Sequence, residues 1–190
     1  MSATSAPFGF RPAYHPTGLD RATVLANGIA SAYNTGILKG QPVALDTNGN
    51  IIIATAGSAF IGVFAGVEYT DPSGRRQINN QWPANTAYQA GSCLAYFYQE
   101  QTIVYEVQSN ATLAQTSIGD QCNMASATAG STTTGLSAAM LGTVVGAGSQ
   151  GDFRIIDIAP YIDNEWGDSF VIVRVQISRH QYTANIVAIY

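Results

Sequence analysis

The sequence predicts an all-β protein: a small β-barrel or sandwich of about ten short strands, with an extended N-terminal arm and no long helix. Three observations carry this. Short apolar runs alternate with a period of two, turn-forming clusters separate them at roughly 8–12-residue intervals, and no stretch sustains a helical period over three turns.

The N-terminal segment differs from the rest. Pro7, Pro12 and Pro16 interleave with Phe8, Phe10, Arg11, Tyr14 and His15. Proline fixes φ and disfavours helix in the residue before it, so this stretch is expected to be extended. Its aromatic residues mark it as an arm lying along a surface, its own domain's or a neighbour's. Residues 1–35 are assigned to this arm and 36–190 to a single β domain.

From Gln41 the pattern is β. Pro42–Leu45 and Ile51–Ala54 flank the turn cluster Asp46-Thr-Asn-Gly-Asn50, which reads as a hairpin. Phe60–Val67 follows, with Gly62 and Gly66 marking a bulge, a bend or a close backbone approach. Asp71-Pro-Ser-Gly74 has the composition of a turn and should return the chain toward Gln77–Trp82. Cys93–Gln108 reads as a further hairpin, with Leu94, Tyr96 and Tyr98 on one face and Cys93, Ala95 and Phe97 on the other. In its second half Ile103, Tyr105 and Val107 alternate with Val104, Glu106 and Gln108, and the aromatic content predicts that neither face is fully wet. Residues 109–138, rich in Ala, Ser, Thr and Gly, are expected to form a long surface loop or weak edge strands. Ala139–Val145, Asp152–Ile158, Phe170–Ile177 and Asn185–Tyr190 read as the remaining strands.

Only 20 of the 190 residues are charged, with one lysine, Lys39, and a net charge of −4. A hydrophobic content of 46% is enough for a core and excludes a disordered chain. A pI near 4.9 argues against binding to nucleic-acid phosphates, and no apolar run is long enough to cross a bilayer as a helix. Depletion of charge is a property of interface cores, so much of this surface is expected to be covered by other subunits. The opening MSATSAPFGF has neither a basic n-region nor an apolar h-region, so no Sec-type signal is expected. Cys93 and Cys122 are then expected as reduced thiols, their pairing remaining the alternative.

Chemical motifs are sparse. Gly146–Gly151 fits GxGxxG as a string, but a strand follows where the dinucleotide fingerprint requires a helix, so a hairpin loop is expected. Gly167-Asp-Ser169 matches the nucleophile block of some esterases, yet the sole downstream histidine, His180, has no carboxylate arranged behind it. His15 and His180 lack zinc-site spacing. Asp163, Glu165 and Asp168 lack the ligand run of an EF-hand and read as a solvated turn. The Asn110-Ala111-Thr112 sequon has no role without secretion. No catalytic residue, cofactor site or metal site is nominated, and the expectation is a non-enzymatic, structural or binding protein.

Gly36-Ile-Leu-Lys-Gly-Gln-Pro-Val-Ala-Leu45, the turn, Ile51–Ala54, and Phe60-Ile-Gly-Val63 with Gly66 resemble the opening of small tailed-bacteriophage head decoration (capsid cement) proteins. Phe8-Gly-Phe-Arg-Pro12 with Tyr14-His-Pro16 is similar to short openings of phage virion proteins. The resemblance covers about residues 36–67. It implies a virion protein, made in the host cytoplasm, that binds the outside of the head as a homotrimer and bridges neighbouring copies of the major capsid protein against internal pressure. No nucleic acid, membrane or cofactor takes part. On this reading Phe8, Phe10, Arg11 and Tyr14 would anchor the arm on the capsid or a sister subunit. Trp82, Tyr96, Tyr98 and Tyr105 would form the subunit interface, with ordinary core packing as the competing role for each. The alternatives are a phage tail or spike component, a carbohydrate-binding β-module stacking a glycan on Trp82 or Trp166, and an esterase-like enzyme using Ser169.

Overall fold

The computed structural model describes residues 4–18, 21–146 and 148–183. The β-prone piece Asn185–Tyr190 lies outside the described residues. The N-terminal half contributes β1 (Arg11–Tyr14), β2 (Thr23–Ala26), β3 (Pro42–Leu45), β4 (Ile51–Ile53), β5 (Gly62–Thr70), β6 (Arg76–Asn79) and β7 (Leu94–Tyr98). After these come β8 (Val104–Gln108), β9 (Gln121–Ala125), β10 (Gly130–Ser131), β11 (Leu136–Ser137), β12 (Met140–Val144), β13 (Phe153–Ile158) and β14 (Ile172–Ile177). The only helical piece among the described residues is a 3-10 turn, Gln115–Ser117.

Twelve of the strands form two six-stranded antiparallel sheets packed as a sandwich, with no closed barrel, and β10 and β11 pair as a separate two-stranded ribbon. One sheet runs β1-β8-β14-β13-β9-β12. The other runs β2-β7-β5-β3-β4, with β6 also paired to β5. Between the sheets lies a core built from Tyr105, Val107, Phe153, Ile155, Val171, Val173 and Val175 on one side and Ala44 and Val63 on the other. The alternation along 171–177 produces this directly: Val171, Val173, Val175 and Ile177 are buried, while Arg174 and Gln176 point away.

A second core covers the opposite face of the β2-containing sheet. Val43, Phe64, Val67, Cys93, Ala95 and Phe97 pack beneath Ile29, Ile37 and Trp82, with Tyr33 and Tyr88 at its margin. Main-chain bonds between Ile37 and Trp82 hold this cover, and the Tyr88 hydroxyl donates to the Ile29 carbonyl at 2.7 Å. The sheet is therefore enclosed on both sides, which explains aromatic residues on both faces of β7.

The β3–β4 hairpin forms in the expected register, Val43 opposite Ile53 and Leu45 opposite Ile51. The Asp46 side chain closes its turn by accepting from the amides of Asn48 and Asn50, both at 2.8 Å. The Asp71–Gly74 turn likewise returns β5 to β6. Gly62 is the close approach anticipated in this strand: a Cβ there would lie 1.9 Å from the Tyr98 carbonyl oxygen. The β5–β7 register shifts between Phe64 and Gly66.

Several expectations are corrected. Residues 93–108 are not a hairpin: β7 pairs with β2 and β5, β8 pairs with β1 and β14, and the chain crosses from one sheet to the other between them. The 109–138 region is not merely a loop, since β9 is an internal strand whose Cys122 and Met124 enter the core. The loop around 146–151 is not a hairpin loop, because β12 and β13 lie on opposite sides of β9. The N-terminal segment is extended but belongs to the sandwich, with β1 edging one sheet and β2 the other. Cys93 and Cys122 are both free and occupy different cores.

The two sheets are also joined through Asp152, which is fully buried. Its carboxylate accepts from the Gly57 amide beyond β4 at 2.9 Å and from the Met124 amide in β9 at 2.9 Å. Burial raises its pKa, and the two amides and the nearby Arg179 only partly oppose this.

Candidate interaction face

The outer face of the β1-containing sheet carries a charged row set by strand register. Arg11 lies opposite Glu106, Glu106 opposite Arg174, and Arg174 opposite Asp157, so unlike charges neighbour one another across β1, β8, β14 and β13. Glu106 is forced outward because its neighbours Tyr105 and Val107 face the core. It is nevertheless only 7% exposed, for its own partners cover it. Arg11 donates to Oε2 at 3.0 Å, Arg174 donates to Oε1 at 3.3 Å, and the Tyr161 hydroxyl donates to Oε2 at 2.7 Å. Burial alone would raise the Glu106 pKa, but the bonds from Tyr161, Arg11 and Arg174 outweigh it and hold the carboxyl below its usual range. Hydrogen bonding to that carboxylate raises the Tyr161 pKa in turn, with burial adding to it.

This network holds Tyr14 and Tyr161 at the surface. Arg11 also lies 2.6 Å from the Tyr161 hydroxyl and sits over the Phe8 ring at 4.7 Å, while Arg174 sits 5.4 Å from the Tyr14 ring centroid. Tyr14 and Tyr161 are each 40% exposed and Ile162, next in sequence, is 98% exposed. The result is a cluster of two tyrosines and two arginines held by contacts that already exist in the single chain, with the fully exposed Ile162 following Tyr161 in sequence. Tyrosine and arginine are the residue types that dominate binding hot spots, and pre-ordered side chains lose little entropy on binding.

The residues expected to contact partners separate clearly. Arg11 and Tyr14 belong to the patch. Phe8 is half-buried beside it and, with Tyr98, lines an apolar groove of about 400 Å3. Phe10 is 1% exposed and stacks on Phe153 with ring centroids 4.4 Å apart, so as folded it is a core residue with no surface to offer a partner. Trp82 and Tyr105 are fully buried and are corrected likewise. Tyr96 is half-buried, with its hydroxyl 3.5 Å from Glu68.

Glu106, Tyr161, Ile162 and Arg174 were not singled out as site residues. A lone carboxylate within the apolar run Val104–Gln108, and the adjacent Tyr161-Ile162 in an otherwise polar turn, were the available signals.

The two histidines weighed for chemistry make local structural contacts. His180 Nε2 lies 2.7 Å from the Gln99 carbonyl and its Nδ1 accepts from the Tyr182 amide at 3.2 Å. His15 is held by Thr17 and Thr102. Trp82, enclosed in the second core, presents no platform for a glycan ring. Among the described residues no three His, Cys, Asp or Glu side chains gather into a group that could hold a metal ion. No family model, curated protein or solved structure matches this chain.

Proposed function

We propose that the chain is a structural protein of a tailed-phage virion that binds the outer surface of the head and bridges neighbouring capsomers, stabilising the shell against internal pressure. The observation that carries this reading is the pre-ordered pair Tyr14 and Tyr161 around the Arg11–Glu106–Arg174 network, with the exposed Ile162 next to Tyr161 in sequence. It is a contact surface without bond-making chemistry. The low charge of the chain supports extensive contact with other proteins. The resemblance of residues 36–67 to head decoration proteins supplies the location and the trimeric state. Bridging by many weak contacts repeated over a symmetric shell needs only such a surface.

Removing residues 1–16 would be a poor test, because it deletes β1 and the core residue Phe10. Ile162→Asp is cleaner, since this side chain is 98% exposed and contributes nothing to the core. The variant is expected to fold as the parent does and to bind heads lacking the protein at least about tenfold more weakly. Undiminished binding would refute the assignment of this face.

A further inference from the structure

We infer that a polar cleft on the outer face of the β1-containing sheet binds a saccharide bearing a carboxylate, a hexuronate, with its anionic group on Arg154. The cleft has a volume of about 370 Å3, within the range of sites that hold small molecules. Its lining includes Gln101, Gln121, Gln150, Arg154, Gln176 and Ser178, and no carboxylate is among its lining residues.

Strand register builds the floor. Arg154 in β13 lies opposite Gln121 in β9 on one side and Gln176 in β14 on the other. Residues opposite one another share a face, with Cβ atoms about 4.5–5.5 Å apart. That face is outward, because Cys122, Phe153, Ile155, Val175 and Ile177 beside them fill the core. Both glutamines are already oriented. Gln121 Oε1 accepts from the Gly151 amide at 2.7 Å, and Gln176 Nε2 donates to the Thr102 carbonyl at 2.9 Å. A donor, the Gln121 amide nitrogen, is thus left on one side of Arg154 and an acceptor, the Gln176 amide oxygen, on the other. Arg154 itself is exposed and, unlike Arg11 and Arg174, pairs with no carboxylate among the described residues.

This arrangement selects a ligand chemistry. A guanidinium presents a planar fork to a carboxylate, and the Gln121 nitrogen can donate to the same group. The Gln176 oxygen requires a donor from the ligand, which a sugar hydroxyl supplies and an ionised sulfate does not. Gln101, Thr102 and Gln150 around the floor offer both donors and acceptors, matching hydroxyls that both donate and accept. Ser178 adds a buried hydroxyl for which the described residues supply no hydrogen-bond partner. The cleft shares no residue with the Arg11–Glu106–Arg174 row, and the inference rests neither on that face nor on the virion reading.

The test is calorimetric titration of the full chain with glucuronate, galacturonate and mannuronate disaccharides, with their neutral counterparts and with sulfate. At least one uronate is expected to bind at one site per chain, at least about tenfold more tightly than its neutral counterpart and than sulfate. Arg154→Ala should remove that preference while leaving the unfolding midpoint in place, since the side chain makes no ion pair among the described residues. Gln121→Glu keeps an acceptor for the Gly151 amide but sets a negative charge beside Arg154, and should weaken uronate binding by at least about tenfold. Absence of binding by every uronate would overturn the inference, as would equal binding of the neutral sugars or binding undiminished by Arg154→Ala. Sulfate binding as tightly as the uronates would show a plain anion site and overturn the saccharide assignment.

Discussion

Gly62→Ala isolates a single close contact. A Cβ at this position would meet the Tyr98 carbonyl oxygen at 1.9 Å and its carbon at 2.8 Å, both backbone atoms that cannot rotate away. To restore ordinary contact β5 and β7 must separate locally by more than an ångström. The residue's φ of +153° adds strain for any L side chain, of order 1–3 kcal/mol. Losing about two ladder hydrogen bonds adds roughly 0.5–1.5 kcal/mol each. The sum is about 2–6 kcal/mol, a large part of the roughly 5–15 kcal/mol that holds a domain together. Gly49→Ala is the control, for its φ is +80° but nothing lies within 4 Å of the added carbon. It should cost only the left-handed penalty, about 1–2 kcal/mol. Urea unfolding of both variants gives the comparison, with unchanged m-values ensuring that stability alone has moved. Equal losses for the two variants would refute the contact argument.

Three further outcomes follow from the packing and the charges. Phe10→Ala should cost about 3–5 kcal/mol by chemical denaturation, since the ring is enclosed against Phe153; a loss under about 1 kcal/mol would mean the segment is not part of the core. Asp152→Ala leaves the buried Met124 amide without an acceptor, while the exposed Gly57 can turn its amide to water, and should cost about 1–3 kcal/mol, with Asp152→Asn falling between it and the parent because its amide oxygen keeps one bond. Glu106→Gln should destabilise by about 1–3 kcal/mol at neutral pH by weakening the charge-assisted bonds. Because the folded Glu106 pKa lies below the unfolded one, its stabilisation is present above pH about 4.5 and is lost as pH falls through the folded value. The gap between Glu106→Gln and the parent should therefore close in acid, and a gap independent of pH would contradict the ion-pair assignment.

The strands with strong local signals were readable from sequence. The Asn-Gly turn with Asp46 ahead of it dictated the β3–β4 hairpin, and the strict alternation at 171–177 dictated which face of β14 is buried. Pairing was harder to read. Alternation tells which side a residue faces but not which strand lies next to it, and the segment Gln99–Ile103 connects two strands equally well as a hairpin or as a crossing between sheets. β9 was missed because only Cys122 and Met124 carry its apolar face within a run of small polar residues. For the interaction face, Arg11 and Tyr14 were legible as an aromatic and cationic pair in a proline-rich segment. Their partners were not, since Glu106, Tyr161 and Arg174 lie between 95 and 163 residues away from Arg11 and meet it only through strand register and the turn after β13.

The most direct test of the virion role joins electron microscopy of purified particles carrying this chain to a mass measurement of the chain in solution. The expected result is a trimer whose density lies on the outside of the head and bridges capsomers, with the Tyr14–Tyr161–Ile162 patch against the shell. A monomer in solution, with no density on the head surface, would contradict it.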